Sequence, residues 1–437
     1  MSDAVTKAKP TATDFMEIGS SGLQQNGGMI RDDFLRQMQG KQGYANLREM
    51  ADNDPVVGAL LSAIELQIRS VEWTVDAADP NNQAAKDAAE FVSSCLTDMS
   101  MSWPDTLSTI TTYLVYGFSI HELVYKRRGG YTNDAKTRSK FNDNRIGWRK
   151  LPIRSQDTIQ RWDLDDTGGI KGAYQMDPYA PKKGLVYLPM EKCLLFRTTV
   201  KSNNPQGRSI LRNAFVPWYY KRRIQEIEAI GVERDLAGIP VALVPPQLLS
   251  DNATSDESAA LAEIKKIVRN IKRDEQEGIV FPLAYDPETK ALAYDLKLLS
   301  TGGSRQFDTD TIIARYDQRI AMTVLADFIL LGHEKVGTQA LSVSKIEIFM
   351  KSLHAYLTGI AEVFNSHAIP RLIRLNGISE ELSPQLNFVP PKNTDLGALG
   401  GFIAQLAQAG ATIFPDEALE NHLRNLAGLP QGQAEEV

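Results

Sequence analysis

The stretch that most constrains the fold runs from Asn203 to Pro246, NNPQGRSILRNAFVPWYYKRRIQEIEAIGVERDLAGIPVALVPP. An Asn-Pro-Gln-Gly turn opens a long amphipathic helix over 208–236, about 40 Å long at about 1.5 Å per residue. Gly238 closes it, and a short apolar strand flanked by prolines follows. Pro217 sits inside the helix and either kinks it or marks a later start. The stretch holds no nucleophile motif, metal cluster or phosphate loop. A long helix launched from a turn and closed by Gly-Ile-Pro is architectural, and it directs the reading away from catalysis.

The rest of the chain fits that direction. With 437 residues there is room for two or three domains and a sizeable core. The net charge is −6, which argues against a general cationic grip on nucleic acid. The two cysteines, Cys95 and Cys193, give neither a disulfide framework nor zinc spacing and suit a reducing compartment. The N-terminus is polar, without the apolar core of a signal peptide. No apolar run of about 18 residues occurs, so no membrane span is expected.

Residues 1–44 are rich in Gly, Ser and Gln and read as a flexible arm. Leu47, Val56, Leu60, Leu61, Ile64 and Ile68 have helical spacing over 45–70. VEWTV at 71–75 alternates like a strand. A helix is expected over 81–99, and another from Trp103-Pro104-Asp105 to Gly117, with Pro in its first turn. FSIHELVYK at 118–126 reads as a strand, 127–145 as a polar, basic loop or hairpin tip, and 146–198 as short strands. After the first long helix, an insert over 239–302 carries the strands PVALVP, GIVFP and YDLKLLS around a charged helix from Ser255 to Arg273. Ile312, Ile313, Tyr316, Ile320, Val324 and Phe328 mark a second long helix over 306–330. A polar loop over 332–341 separates it from a third, 343–375, whose end Pro370 should bend. NFVPP at 387–391 and helices over 395–409 and 415–427 complete the chain.

Little of this supports chemistry. The histidines His121, His333, His354, His367 and His422 are scattered, and none sits in a metal-ligand pattern. His121 lies beside Glu122 in a strand, so the two face opposite ways, and His121 reads as structural. No G-x-S-x-G, Walker A or G-x-G-x-x-G is present. Gly302-Gly303-Ser304 is a loop before a helix rather than a phosphate cradle. Asp308 and Asp310 fall in the first turn of the second long helix, where they favour its dipole. The segment Asp163 to Gly169 is a turn between strands, not a calcium loop. Two basic clusters stand out: Lys221-Arg222-Arg223, and Lys265, Lys266, Arg269, Lys272 and Arg273. A solvated face is the default for such runs. The second is dense enough to suggest docking of an acidic partner or DNA.

The order of these parts resembles the portal proteins of tailed bacteriophages, closest to their Mu-like branch. The resemblance rests on NPQGRSILRNAFVPWYYKRR, on the exit ERDLAGIPVALVP, on LLGHEKVGTQALS before the third long helix, and on RSVEWTV and YLVYGFSIHELVYK as wing strands. It covers roughly 45–430. It implies an α+β portal fold: a mixed α/β wing over 45–206, a stem helix over 207–238, a small α/β clip over 239–303 and a second stem helix over 304–331. A tunnel loop over 332–342 follows, then a long helix returning to the wing over 343–391, and a helical crown and tail over 392–437. It implies a ring, usually of twelve subunits, at one capsid vertex of the virion. Double-stranded DNA passes through it without sequence specificity, driven by a separate terminase. Terminase large subunit, head–tail adaptor and major capsid protein are the implied partners. No cofactor, metal or enzymatic activity is implied. By this likeness His333, Glu334, Lys335, Thr338 and Gln339 of the tunnel loop lie nearest DNA, and the five clip cations face docking proteins.

The long helices carry more apolar stripe than one subunit can cover, so neighbours should share it, with movement at Gly238, Gly302 and Gly332. A weakly charged lining also suits sliding, because each neutralised phosphate adds about 0.9 to the log–log salt slope of binding. The alternatives are a non-catalytic head or tail assembly adaptor and a metal-dependent nuclease. The nuclease would need a carboxylate cluster that the sequence does not display.

Overall fold

The protein is described by a computed structural model covering residues 27–30, 33–134, 136–165, 168–176, 184–200, 203–237, 239–250, 253–270, 295–299, 308–323 and 339–389, with single positions at 405 and 420. In chain order it opens with helices α1 (Gly40–Asn53) and α2 (Pro55–Ser70), where the sequence suggests one helix. Asp54 makes the break. Its Oδ1 accepts the Val56 and Val57 amides at 3.0 and 3.1 Å, an N-cap followed by Pro at the first helical position. Strand β1 (Trp73–Asp76) follows, then α3 (Gln83–Thr97), capped by Asn82 through the Ala84 amide at 2.9 Å. Helix α4 (Trp103–Tyr116) ends at Gly117, whose φ of +90° only glycine takes without cost.

The expected strand over 118–126 is two, β2 (Phe118–Glu122) and β3 (Val124–Arg127), which join different sheets. Then come β4 (Ile146–Lys150), β5 (Ile153–Arg154), β6 (Ile159–Leu164), β7 (Ile170–Met176), β8 (Leu185–Pro189) and β9 (Cys193–Arg197). The next helix, α5 (Phe215–Ala237), is preceded by a separate short turn at Ile210–Asn213. Pro217 is thus the third residue of α5, where its missing N–H would have had no helical partner anyway. This resolves the position: the straight helix starts at Phe215, not 208. The turn before it needs Gly207 at φ +58°, since a Cβ there would lie 2.3 Å from the Gly117 carbonyl oxygen.

Strand β10 (Ile239–Leu243) pairs antiparallel with β11 (Asp295–Leu299), and α6 (Ser255–Asn270) lies between them in sequence. GIVFP falls outside the described residues. Helix α7 (Thr309–Thr323) is followed by α8 (Gln339–Val363), a π-helical turn at Phe364–Ala368, α9 (Ile369–Leu375) and β12 (Gln385–Phe388). The π-turn is the local response to Pro370, which cannot donate to the preceding turn and crowds its carbonyl. The expected helices over 395–409 and 415–427 lie outside the described residues, apart from the helical positions Gln405 and Glu420.

The chain forms two compact units. One comprises Met1–Ala63, Ile110–Ile120 and Ile153–Phe349. It contains the antiparallel sheet β6-β7-β8, with Trp162 opposite Ala173 and Ala173 opposite Leu188. These pack with Ile30, Phe118, Ile120, Ile159 and Cys193. A second core in this unit joins Leu47, Met50, Val57, Leu211, Ala214, Phe215, Trp218 and Ile320. The arm reading of 1–44 therefore fails in its last part: Ile30 is buried, Asp33 pairs with Arg212, and α1 begins at Gly40. The other unit comprises Ile64–Thr109, His121–Pro152 and Met350–Val437. Its core is aromatic. Trp73 meets Trp103 edge-on at 5.6 Å, and Phe364 of the π-turn meets Trp103 at 5.2 Å and Trp148 at 6.2 Å. Such pairs add roughly 0.5–1.5 kcal/mol each beyond burial.

Candidate functional site

The long helix α5 is fixed at one point. Lys221, its side chain 4% exposed, extends its ammonium to Asp54 Oδ2 at 2.8 Å and Asp317 Oδ1 at 2.5 Å. Asp54 thus caps α2 with one oxygen and holds α5 with the other, while Asp317 brings in α7. Burial pulls the Lys221 pKa down, but hydrogen bonds to Asp317 and Asp54 outweigh it and leave it raised. Further along, the Thr309 hydroxyl donates to Glu228 at 2.5 Å, a second tie between α7 and α5. The remaining cations of the triplet are spent on the surface: Arg222 pairs with Glu49 and Glu226, and Arg223 with Glu226. The reading of Lys221-Arg222-Arg223 as a solvated basic face holds for Arg222 and Arg223, 50% and 66% exposed, and is corrected at Lys221. Lys221 is an internal clamp, and all three charges meet carboxylates of the same unit.

The opposite side of α5 is open. Val216, Tyr219, Tyr220, Ile227 and Ile230 are exposed, Ile227 by 59%. At 100° per residue these positions fall within roughly a 100° arc, an apolar stripe interrupted by the exposed Arg223. Their spacing was readable in the sequence. Which side of the helix stayed uncovered was not, because that depends on where α1, α2 and α7 pack.

The clip cations divide. Lys265 and Lys266 are exposed on α6, Lys266 lying 3.4 Å from Glu263. Arg269 belongs to α6 by its backbone, and Lys272 and Arg273 lie outside the described residues. So do His333, Glu334, Lys335 and Thr338 of the tunnel loop, together with Gly238, Gly302 and Gly332. Gln339, assigned to that loop, is the first residue of α8. Asp308 caps α7, its carboxylate accepting the Thr311 hydroxyl and, at 3.2 Å, the Thr311 amide, and these contacts lower its pKa. Asp310 lies in the first turn, as the dipole argument expects.

The titratable groups with unusual environments serve structure. His121 is fully buried, with Nδ1 donating to the Leu151 carbonyl at 2.9 Å, and burial pushes its pKa down to about 4. Burial also pushes the Cys95 thiol up to about 11. Among the described residues no group of three His, Cys, Asp or Glu side chains could hold a metal ion. No described helix is long and apolar enough to cross a membrane.

A family model described as the portal protein of Mu bacteriophage matches residues 44–424. Among solved structures, a chain from the neck of an empty gene transfer agent particle, computed with C6 symmetry, is 12% identical. It superposes with a TM-score of 0.50, covering 89% of this chain and 94% of that one. A chain from the neck of the native particle, computed with C12 symmetry, is also 12% identical, with a TM-score of 0.49 over 89% of this chain and 94% of that one. An HK97-family phage portal protein from Corynebacterium diphtheriae is 12% identical, with a TM-score of 0.34 over 81% and 96% of the two chains. At such identity the gene transfer agent chain with the highest of these scores is a likeness of fold alone.

Proposed function

The chain belongs to the family of the portal protein of Mu bacteriophage, and on that premise we propose that it closes into a ring of twelve copies at one capsid vertex. Its fold is the α+β portal fold, and as a portal protein it is a component of a phage particle. The family match across residues 44–424 carries the functional conclusion. The open stripe on α5 supports the ring. A helix tied to its own unit on one side, with Tyr219, Tyr220, Ile227 and Ile230 exposed on another, needs a neighbour to cover it. In a closed head-to-tail ring each copy supplies that cover to the next. Replacing Ile227 and Ile230 with Asp should convert the assembly to monomers in a light-scattering mass measurement. An unchanged mass would remove α5 from the interface.

In this reading the ring is a conduit without catalytic activity of its own, through which double-stranded DNA is packaged and ejected. The domain division follows the portal plan of wing, stem, clip, tunnel loop and crown, with the first stem helix starting at Phe215 and the helix after the tunnel loop at Gln339. His333, Glu334, Lys335, Thr338 and Gln339 face the channel, and deleting 334–338 should spare ring formation but reduce packaging. Normal packaging by the deletion would contradict that role. Lys265, Lys266, Arg269, Lys272 and Arg273 dock the terminase large subunit or the head–tail adaptor. Reversing their charges should weaken capture of both in a pull-down, and undiminished capture would count against the assignment. The wing is the part nearest the major capsid protein.

A further inference from the structure

The loop between β3 and β4 carries charge that none of these roles uses. Residues 126–150 hold nine Lys and Arg against two Asp, in a chain whose net charge is −6. Arg149 and Lys150 are half-buried in β4, and the structure separates the other seven cations into two kinds. Lys126 and Arg128 are buried and paired. The Lys126 ammonium meets Asp98 Oδ2 at 2.9 Å and donates to the Arg138 carbonyl at 2.9 Å, while Arg128 pairs with Asp143 at 3.1 Å and lies over the Phe141 ring at 4.0 Å. Asp98 also accepts from the Ser139 hydroxyl at 2.6 Å and the Lys140 amide at 2.8 Å. Backbone bonds stitch the runs together: Arg127 to Lys136 at 3.1 Å, Gly129 to Thr137 at 2.9 Å and Arg128 to Arg145 at 2.9 Å. The loop is therefore a braced platform rather than a free tip.

The second kind is exposed: Arg127, Lys136, Arg138, Lys140 and Arg145. None has a carboxylate partner among the described residues. The two acids of the loop are already engaged, Asp143 with Arg128 and Asp134 with the Lys136 amide at 2.9 Å. We propose that this braced loop binds the phosphate backbone of duplex DNA, at a surface distinct from the tunnel loop. Five unneutralised cations on three runs joined by backbone hydrogen bonds suit a polyanion, and little ordering entropy remains to be lost on contact. A protein partner would call for a desolvated apolar anchor. Here Tyr131, 83% exposed, is the one large exposed hydrophobic among the described residues of the loop. The inference takes from the portal reading only that DNA is present; the binding belongs to the loop's own charge.

The test is anisotropy of a short labelled DNA duplex of arbitrary sequence with the full-length chain at rising salt. The triple variant Arg127→Glu, Lys136→Glu, Arg138→Glu should bind at least about tenfold more weakly at low salt, and its log–log salt slope should fall by about 2.7, near 0.9 per lost contact. If that variant does not fold, the corresponding Gln triple should show the same direction. Unchanged affinity and slope in a folded variant would overturn the inference. So would loss of an acidic protein contact with DNA binding intact. Imaging the same samples for rings keeps this result separate from the portal reading, since the slope is measured whether or not rings form.

Discussion

Lys221 in one unit and Lys126 in the other are buried alike, with side chains 4% and 5% exposed, yet they are held differently. Lys221 is one ammonium between two carboxylates, Asp54 at the cap of α2 and Asp317 on α7. Lys126 meets one carboxylate, Asp98, which two other donors also satisfy, and it gives further hydrogen bonds to carbonyl oxygens. Asp54 likewise keeps the Val56 and Val57 amides, so the first arrangement depends on its cation at Asp317; the second shares the work throughout. The same contrast separates the regions they brace. Lys221 clamps a long helix whose far side is open, whereas Lys126 braces a loop folded onto its own unit.

The largest expected effect follows from that dependence. Lys221→Met leaves Asp54 and Asp317 facing each other without a counter-charge, costing about 3–5 kcal/mol in thermal unfolding. Acid should then act first on the other unit. His121 holds its folded pKa near 4 against about 6.5 for an unperturbed histidine, so below pH 6.5 the unfolded chain takes up a proton that the folded chain refuses. Stability should fall between pH 6.5 and 4, by on the order of 3 kcal/mol, and His121→Gln should flatten that slope. A pH-independent stability across this window would break the comparison.

Lys126→Met should cost less than Lys221→Met, about 1–3 kcal/mol, because Asp98 keeps Ser139 and the Lys140 amide. Equal losses would show that the shared network gives no protection. The smallest effect is at Asp33, whose pKa is held below the usual carboxylate value: burial raises it, but Arg212 and the Leu35 amide more than compensate. Asp33→Asn should cost about 1 kcal/mol at neutral pH. The wild-type advantage should be present above pH 3.8 and vanish as pH falls through the lowered folded value.

Much of this was legible in the sequence where a local rule decides. Pro104 and Gly117 set helix ends by backbone chemistry alone, and the order of long helices and insert identified the family. The failures are long-range. Asp54-Pro55 reads as part of a helix until its carboxylate is seen capping Val56 and Val57, although the Asp-Pro pair was a usable signal. Lys221 looked like its neighbours Arg222 and Arg223. Only the packing of α2 and α7 against α5 distinguishes it. The strand over 118–126 splits because β2 and β3 find partners in different sheets, which alternation cannot reveal. The exposed cations of the β3–β4 loop were visible as basic composition, but their separation from the buried pair was not.

In the proposed ring, the α5 stripe is covered by a neighbouring copy. Negative-stain imaging of the purified full-length protein tests it most directly. Rings with a central hole are expected, abolished by Asp at Ile227 and Ile230. A soluble, fully folded monomer that persists at working concentration would contradict it.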